Sequence, residues 1–436
     1  MTNQSVPVRS LAVLLAMLVA VAPFAIDMYL PAMQIMAADL STKIHYVEIS
    51  ISTFLFGFAF GQLIGGPLSD RFGRKPLISI GLLIFAITSL MLTQTESIDQ
   101  LLLLRALQAV GGGIATVNSS AIIRDLFSGE EMAKVLSMVA IVMMAAPLLA
   151  PMIGSLIISY FSWQAIFFTL ATYALSVMLL LLWRLPETHA LKKQGAVIQE
   201  ATIQEAAQGN AQGDTPNSAK EENTPKPKAI SKLLQSYKQV LTHRQAMGYV
   251  MAISFSFSGM FVFITASAFA YMEYFSISPQ VFPFIFGGNV LLMMLMNRVN
   301  VWALNHYSSA SILSVGLIIQ MLCGAGLIIA SYLSPNLYIV VTLVMIFVGS
   351  IGLVAANATA GTLNFFPKIS GTATAVIGVT EFTLGALMGI LWSLLHEIQF
   401  SITQQHSLSP MAWVMTACVV IGFLGFTVLS KSRASS

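Results

Sequence analysis

Apolar residues run through the chain in long windows, and polar residues gather in the short stretches between them. Windows of membrane length occur at 10–36, 46–68, 77–95, 100–123, 133–159, 162–184, 247–274, 280–304, 309–332, 337–362, 370–395 and 410–430. Each window is long enough to cross the hydrocarbon core of a bilayer, about 30 Å thick, as a helix. The pattern predicts an all-α membrane protein with twelve transmembrane helices, called spans 1 to 12.

A long polar insert divides the spans into two sets of six. Residues 187–229 are rich in Gln, Ala, Glu, Asn, Lys and Pro, a composition that buries too little apolar surface to fold alone. We therefore predict a first six-helix bundle at 1–186, a cytoplasmic linker at 187–246 and a second six-helix bundle at 247–436. Apolar residues at helical spacing between Ile230 and Leu241 favour equally an amphipathic helix on the membrane surface and a soluble linker helix.

Composition excludes several classes of protein. The 436 residues are 56% hydrophobic and 9% charged, whereas charged residues make up about 25% of soluble proteins. The net charge of +3 lies mostly in short loops, so no face suits nucleic acid. The two cysteines and six histidines are scattered, and no ATP-binding loop is present, which predicts neither an enzyme, a metal site nor a cofactor.

The distribution of charge predicts the topology. Of the 21 Lys and Arg residues, only Lys43 and Arg105 fall outside the predicted cytoplasmic loops, tails and helix ends. The loops on the other side carry acids, namely Asp39, Glu48, Glu96, Asp99 and Glu397. By the positive-inside rule, we expect a multi-pass protein of a bacterial-type inner membrane with both termini on the cytoplasmic side. The first apolar run has the outline of a secretory signal but continues to Met36, so we interpret it as an uncleaved span 1.

A short charged stretch separates spans 2 and 3, Gly66-Pro-Leu-Ser-Asp-Arg-Phe-Gly-Arg-Lys-Pro76. The stretch resembles the signature loop of the major facilitator superfamily, and the matching positions are Gly66, Leu68, Asp70, Arg71, Gly73, Arg74 and Lys75. The resemblance implies two pseudo-symmetric six-helix bundles and gating by this loop, with Asp70 facing the start of span 11 and Arg74 reaching Asp125. The alternative is a generic basic turn that only fixes topology.

Three ionisable residues fall within the spans, and each is a functional candidate because burying a charge in a membrane is costly. They are Asp27 in span 1, Arg105 in span 4 and Glu381 in span 11. Pro23, Asp27, Pro31 and Gln34 share one helical face, and so do Arg105, Gln108, Gly112, Thr116 and Ser119. We expect both faces to line a cavity, the two prolines to bend span 1, and Asp27 to come within reach of Arg105.

Further residues are candidates for a substrate cavity. Besides Asp27, they are Gln34, Gln108, Phe255, Phe261, Asn357 and Glu381. Abundant Phe and Met suit an adaptable apolar pocket, and a carboxylate within it suits cationic drugs. A structural role for Glu381, and core packing for any single aromatic residue, remain open alternatives.

Finer resemblances point to one branch of the superfamily. The run from Arg105 to Gly113 resembles a motif of proton-coupled transporters, and Pro147, Pro151 and Gly154 match part of a motif of antiporters. Small-residue helix packing is the alternative for the latter. Ile26–Ala32, Arg124-Asp125 and Pro186-Glu-Thr188 resemble the bicyclomycin and chloramphenicol resistance (Bcr/CflA) group.

These resemblances imply a drug:proton antiporter that exports amphipathic antibiotics by alternating access. Asp27 and Arg105 would couple protons to transport, with the proton gradient as the energy source. The implied partners are a small-molecule drug, protons and the lipid bilayer, and we expect a monomer. The alternatives are a facilitator or proton symporter for a small metabolite, and a membrane sensor or scaffold that transports nothing.

Overall fold

The computed structural model describes residues 8–127, 129–185, 229–333, 335–367 and 369–430, and all regular structure in these ranges is helical. Twelve helical segments are long and apolar enough to cross a membrane, which confirms the predicted count. The predicted flexible segment 187–229 lies outside the described residues except for Ala229, which begins a helix, and Pro186 to Thr188 lie outside them as well.

The spans have the following bounds. In the first half, span 1 comprises the α-helices Val8–Asp27 and Met33–Asp39 joined by a 3-10 turn at Leu30–Ala32, and spans 2 to 6 are Ile44–Phe72, Arg74–Leu92, Ile98–Leu126, Gly129–Tyr160 and Gln164–Arg184. In the second half, span 7 is Arg244–Ala268 continued by a π-helix at Phe269–Tyr274, and span 8 is Phe282–Ala303. Span 9 is Ser309–Leu333, span 10 comprises Leu337–Gly349 and Ile351–Leu363, and spans 11 and 12 are Ser370–Thr403 and Ser409–Leu429.

The turn between spans 2 and 3 is shorter than the sequence predicts. Helix continues to Phe72 and resumes at Arg74, so that only Gly73 stands outside it. Gly73 has φ 100° and ψ 156°, a conformation that favours glycine. Pro76 fits the first turn of span 3, where a missing N–H costs nothing. We call the end of the molecule at Gly73 the motif side and the other end the opposite side.

Spans 2 and 4 pack through their backbones. Gly57 and Gly61 of span 2 lie four residues apart, and a Cβ atom on either would come within 2.3 Å of the carbonyl oxygen of Ala106 or Val110 in span 4. Small residues at this spacing are what allow membrane helices to approach so closely. The first bundle is therefore built around these two spans.

The linker helix Ala229–Thr242 packs on the motif side of the second half. Val240 is fully buried in an apolar cluster with Ala246 of span 7, Phe366 after span 10 and Ala373 of span 11. A helix is therefore present where the spacing predicts one, with Val240 packed against protein and Leu234 and Leu241 exposed.

The hydrogen bonds that join described residues of the two halves lie on the opposite side. Ser155 Oγ of span 5 donates to the carbonyl oxygen of Pro279 before span 8 at 2.9 Å. Lys43 Nζ before span 2 donates to Glu397 Oε1 of span 11 at 2.8 Å. The halves are thus held together by polar contacts at that end.

Span 5 approaches span 1 most closely at Gly154. Span 5 runs as one helix through both Pro147 and Pro151. A Cβ atom on Gly154 would lie 1.7 Å from the carbonyl oxygen of Met28, just beyond the end of the first helix of span 1. Only glycine allows this contact.

We expect Gly154→Ala to destabilise the folded protein by about 3 kcal/mol, because one of two backbones must move to relieve the overlap. The measurement is the thermal unfolding temperature of the purified protein in detergent. Gly66→Ala is the matched control, since a Cβ on Gly66 meets nothing within 4 Å. Equal unfolding temperatures for the two variants would contradict the expected overlap.

Candidate functional site

Span 1 is interrupted inside the protein, directly after Asp27. Pro31 has no N–H to donate to the carbonyl oxygen of Asp27 four residues earlier, and its ring clashes with that carbonyl. Pro23, by contrast, lies within the continuous helix Val8–Asp27. Of the two proline bends predicted in span 1, only the one at Pro31 interrupts the helix.

Arg105 of span 4 occupies the break. Its Nη2 donates to the carbonyl oxygen of Ala25 at 2.9 Å, and its Nη1 donates to Gln108 Oε1 at 2.6 Å. Carbonyl groups at the end of a helix lack donors within the helix, and a cation there also interacts favourably with the helix dipole. Arg105 therefore caps the broken end of span 1.

Aromatic rings surround the guanidinium group. The guanidinium carbon of Arg105 lies 4.4 Å from the ring centroids of both Tyr29 and Phe54, and 5.9 Å from that of Phe167. The side chain is fully buried, with 0% of it exposed. Cation–π contacts of this kind are strongest where the cation is removed from water. The charge of Arg105 is thus compensated by rings, an amide and a carbonyl.

Asp27 does not form the expected ion pair with Arg105. It is 3% exposed, and its Oδ1 has no hydrogen-bond partner among the described residues. Two nitrogens of the Arg105 guanidinium, Nη1 and Nη2, are bound to Gln108 and Ala25, and the buried Nε has no hydrogen-bond partner among the described residues. Asp27 is therefore a buried carboxyl group without a partner, at the point where span 1 breaks.

The polar stripe of span 4 packs against neighbouring helices and does not line an open cavity as predicted. Gln108 is fully buried, and its Nε2 donates to Ser89 Oγ of span 3 at 2.7 Å. Thr116 Oγ1 donates to the carbonyl oxygen of Gly112 in its own helix. Gln34 of span 1, predicted to share a cavity with Asp27, is exposed beyond the break.

A row of four phenylalanine rings crosses from the first half to the second. The ring centroids of Phe54 and Phe58 in span 2 are 6.0 Å apart, and Phe58 lies 4.8 Å from Phe382 of span 11. Phe382 lies 5.6 Å from Phe261 of span 7. The row begins on the guanidinium of Arg105 and ends at Phe261, and the half-buried Glu381 precedes Phe382 in the sequence.

Sequence reasoning found Phe261 and Glu381 but missed Phe54, Phe58 and Phe382. Two signals were available, since Phe54 and Phe58 are four residues apart and Phe382 is next to Glu381. Phe255, predicted to line the cavity, is half-buried. It packs against span 12, where a Cβ on Gly422 would lie 3.1 Å from the Cβ of Phe255.

Asn357 serves helix packing in this structure. Its Nδ2 donates to Asn300 Oδ1 of span 8 at 2.6 Å, and its Oδ1 accepts from Ser309 Oγ of span 9 at 2.8 Å. The side chain is 2% exposed. Its amide is bound to neighbouring helices here, and its place in a substrate cavity stays a prediction.

On the motif side, the predicted contact between Arg74 and Asp125 is present. Arg74 Nε donates to Asp125 Oδ2 at 3.4 Å, and Arg74 Nη1 donates to the hydroxyl of Ser69. Both partners are largely buried. The pair ties the start of span 3 to the end of span 4, within the first half.

The other motif residues are placed as follows. Arg71 is exposed, with its guanidinium 5.2 Å from the ring centroid of Phe72. Gly66 is half-buried within the helix of span 2. The side chains of Asp70 and Arg124 lie outside the described part of the structure, so the predicted contact of Asp70 with span 11 stays a prediction.

Glu48 is a site residue that sequence reasoning misplaced. The sequence predicts it on an exterior loop, but it lies inside the helix of span 2 and is fully buried. Its Oε1 accepts a hydrogen bond from the backbone N–H of Phe269 in span 7, at 2.8 Å. Glu48 therefore joins the two halves.

A twelve-span helical protein with buried ionisable residues near a break in one helix has the architecture of a membrane transporter. The model of the Major Facilitator Superfamily matches residues 15–390, and the chain belongs to that family.

Relatives and solved structures agree with this assignment. The chain is 32% identical to a bicyclomycin resistance protein homolog of Haemophilus influenzae, over 95% of this chain and 94% of the relative. It is 39% identical to the multidrug resistance protein MdtL of Shewanella oneidensis, over 40% of this chain and 44% of the relative. The xylose transporter XylE of E. coli, in a partially occluded inward open conformation, aligns with a TM-score of 0.70 at 14% identity, covering 98% of this chain and 99% of that one.

We expect Arg105→Lys to fold but to lose at least about tenfold in transport. A lysine ammonium is a point donor and cannot bind Ala25 and Gln108 in the forked geometry of a guanidinium. The measurement is the initial transport rate in inverted membrane vesicles at matched protein level. Arg298→Lys, on an exposed arginine of span 8, is the control. Equal rates for the two variants would show that the fork at the break is dispensable.

We expect Arg74→Ala and Asp125→Ala to show a coupling energy of about 1 kcal/mol or more in a double-mutant cycle, because they form a largely buried pair. The measurement is the shift of the unfolding temperature for each single variant and for the double variant. Additive shifts would show that the contact contributes nothing of its own.

Proposed function

We propose that this protein exports drugs in exchange for protons. The observation that carries the proposal is the unpaired buried carboxyl of Asp27 at the break of span 1, beside the capping Arg105. The full-length likeness to a bicyclomycin resistance protein homolog, and the partial likeness to MdtL, support drugs as the cargo.

The proposed orientation places the motif side, with both termini, on the cytoplasmic side of a bacterial inner membrane. The basic residues Arg71, Arg74 and Lys75 at the turn between spans 2 and 3 support it through the positive-inside rule. Drug then moves from the motif side to the opposite side, and protons move the other way. The polar contacts between the halves on the opposite side correspond to the inward-facing state.

Asp27 is the proposed proton carrier. Burial without a partner makes a permanent charge on this carboxyl costly, so that it must exchange a proton as the site changes its access to water. Arg105 positions the site, because it fixes the backbone directly before Asp27. We propose no cofactor, and the proton gradient supplies the energy to a monomer.

The row of phenylalanine rings is the proposed contact surface for the apolar part of the drug, and Phe255 of span 7 is a further proposed cavity residue. Rings have an apolar body and adapt to different partners, which suits a range of amphipathic substrates. Glu381, next to the row, would attract cationic drugs more strongly than a carboxylate in water could.

Gating in this proposal belongs to the two ends of the first half. Gly66, Asp70, Arg71, Gly73 and Arg74 with Asp125 control the motif side. Pro147, Pro151 and Gly154 hold span 5 against span 1 as the halves rock around the central site.

A facilitator or proton symporter for a small metabolite is the rival function. The likeness to XylE, a xylose transporter, does not favour it, because 14% identity supports the fold alone. A sensor or scaffold without transport is less favoured, since it has no use for the buried charge of Arg105. Drug accumulation in inverted vesicles with and without a proton gradient separates the three.

We expect Asp27→Asn to abolish gradient-driven drug efflux while leaving the protein folded. The amide keeps the shape of the carboxyl but cannot carry a proton. The measurement is drug accumulation in inverted vesicles energised by a proton gradient.

The matched control for this variant is Asp99→Asn, on an exposed acid at the start of span 4. It should transport at the wild-type rate. Efflux by Asp27→Asn at the wild-type rate would contradict the proposal that Asp27 carries the proton.

A further inference from the structure

A cluster of ionisable side chains joins the two halves on the opposite side. Lys43 Nζ of the first half donates to Glu397 Oε1 of the second at 2.8 Å, and His45 Nε2 lies 2.9 Å from Glu397 Oε2. We call the whole group the opposite-side cluster, and its members are Lys43, His45, Glu48, Glu273, His396, Glu397 and His406.

Glu48 has an unusual position within this cluster. It is fully buried, and its Oε1 accepts the backbone N–H of Phe269 across the boundary between the halves. Phe269 is the residue at which the α-helix of span 7 passes into a π-helix. The other carboxyl oxygen, Oε2, is buried and has no hydrogen-bond partner among the described residues.

The groups around Glu48 do not neutralise a negative charge on it. No described cation lies within ion-pair distance of Glu48; Lys43 pairs with Glu397 instead. Glu273 of span 7, a second acid, interacts with Glu48 electrostatically, and Glu273 Oε1 lies 3.3 Å from His406 Nε2. His396 of span 11 packs on the ring of Phe269. Tyr29 of span 1, whose ring centroid lies 4.4 Å from the guanidinium carbon of Arg105, interacts electrostatically with both Arg105 and Glu48.

This arrangement favours a neutral Glu48 in the closed cluster. An ionised carboxylate with one neutral donor, buried beside another carboxyl, has no compensation for its lost water. Separating the halves would release Glu48 from Phe269 and expose it to water, where the charge is stable. Charge on Glu48 thus favours separation of the halves, and a proton on Glu48 favours their contact.

We propose that Glu48 is a second proton-binding site, distinct from Asp27, whose protonation closes the opposite-side cluster. Its place in the cycle rests on the proposed drug–proton exchange: a proton arriving from the acidic exterior would close the exterior side and allow return to the inward-facing state. The test below needs neither drug nor transport, so the two proposals can fail separately.

The histidines are the rival source of any response to acid. Protonated His45 would form a charged pair with Glu397 across the halves and would also favour closure. His396 is 3% exposed, so a charge there would oppose closure. The hydrogen bond to Glu397 raises the pKa of Lys43, which therefore stays charged across the range of the test.

The experiment measures the distance between the halves on the opposite side as a function of pH. Spin labels are placed at Gln94→Cys, in the turn after span 3, and at Ser401→Cys, near the end of span 11, because both positions are exposed. The two native cysteines, Cys323 and Cys418, are replaced by serine. The purified protein is studied in lipid nanodiscs without drug, from about pH 8 to about pH 5.

We expect the short-distance population of the otherwise wild-type protein to grow as the pH falls, by at most about tenfold per pH unit for one proton. Glu48→Gln should hold the short distance at every pH, because its amide oxygen accepts from Phe269 without a charge. The matched control His45→Gln should keep the response to acid.

Three results would overturn the proposal. The first is no change of distance with pH in the otherwise wild-type protein. The second is a wild-type response in Glu48→Gln, and the third is loss of the response in His45→Gln, which would assign it to the histidine. Drug efflux that fails while the pH response persists would contradict the proposed function alone.

Discussion

The capping of span 1 by Arg105 is the interaction on which the rest of the site depends. A helix broken inside a membrane leaves carbonyl groups without donors, and lipid supplies none. Arg105 supplies a donor to Ala25, and its charge in turn requires the rings of Tyr29 and Phe54. One broken helix therefore fixes the relative positions of spans 1, 2 and 4, and it leaves Asp27 beside the break without a partner.

Span 2 connects this break to the other functional features. Its Ser50 is hydrogen-bonded to the hydroxyl of Tyr29 at 2.7 Å, and Glu48 lies two residues earlier on the same helix. Phe54 and Phe58 on span 2 begin the row of rings, and the helix ends at the turn formed by Gly73. A movement of span 2 as a rigid body would thus reach the proposed proton site at Asp27, the aromatic row and both ends of the molecule together.

The spans were predictable because hydropathy over membrane length depends on composition alone, and the Arg74–Asp125 contact was predictable because it follows a motif. The absence of a pair between Asp27 and Arg105 was not predictable, because similar depth says nothing about the backbone carbonyl of Ala25, to which the guanidinium donates. Glu48 was misplaced because an acid near the end of an apolar window looks the same whether the helix ends after it or before it. The helix starts at Ile44, four residues before Glu48. Glu48 therefore lies at the boundary between the halves and not in an exterior loop.

The absence of an Asp27–Arg105 pair has a physical consequence for proton coupling. A carboxylate hydrogen-bonded to an arginine keeps its charge, since the pair stabilises the ionised form whichever side of the membrane the site is open to. A carboxyl with no partner must change its protonation whenever its contact with water changes. By binding Ala25 and Gln108, Arg105 stays close enough to shape the break without fixing the charge of Asp27. The same argument applies to Glu48 at the boundary between the halves. The neutral backbone N–H of Phe269 orients its carboxyl but does not hold it ionised.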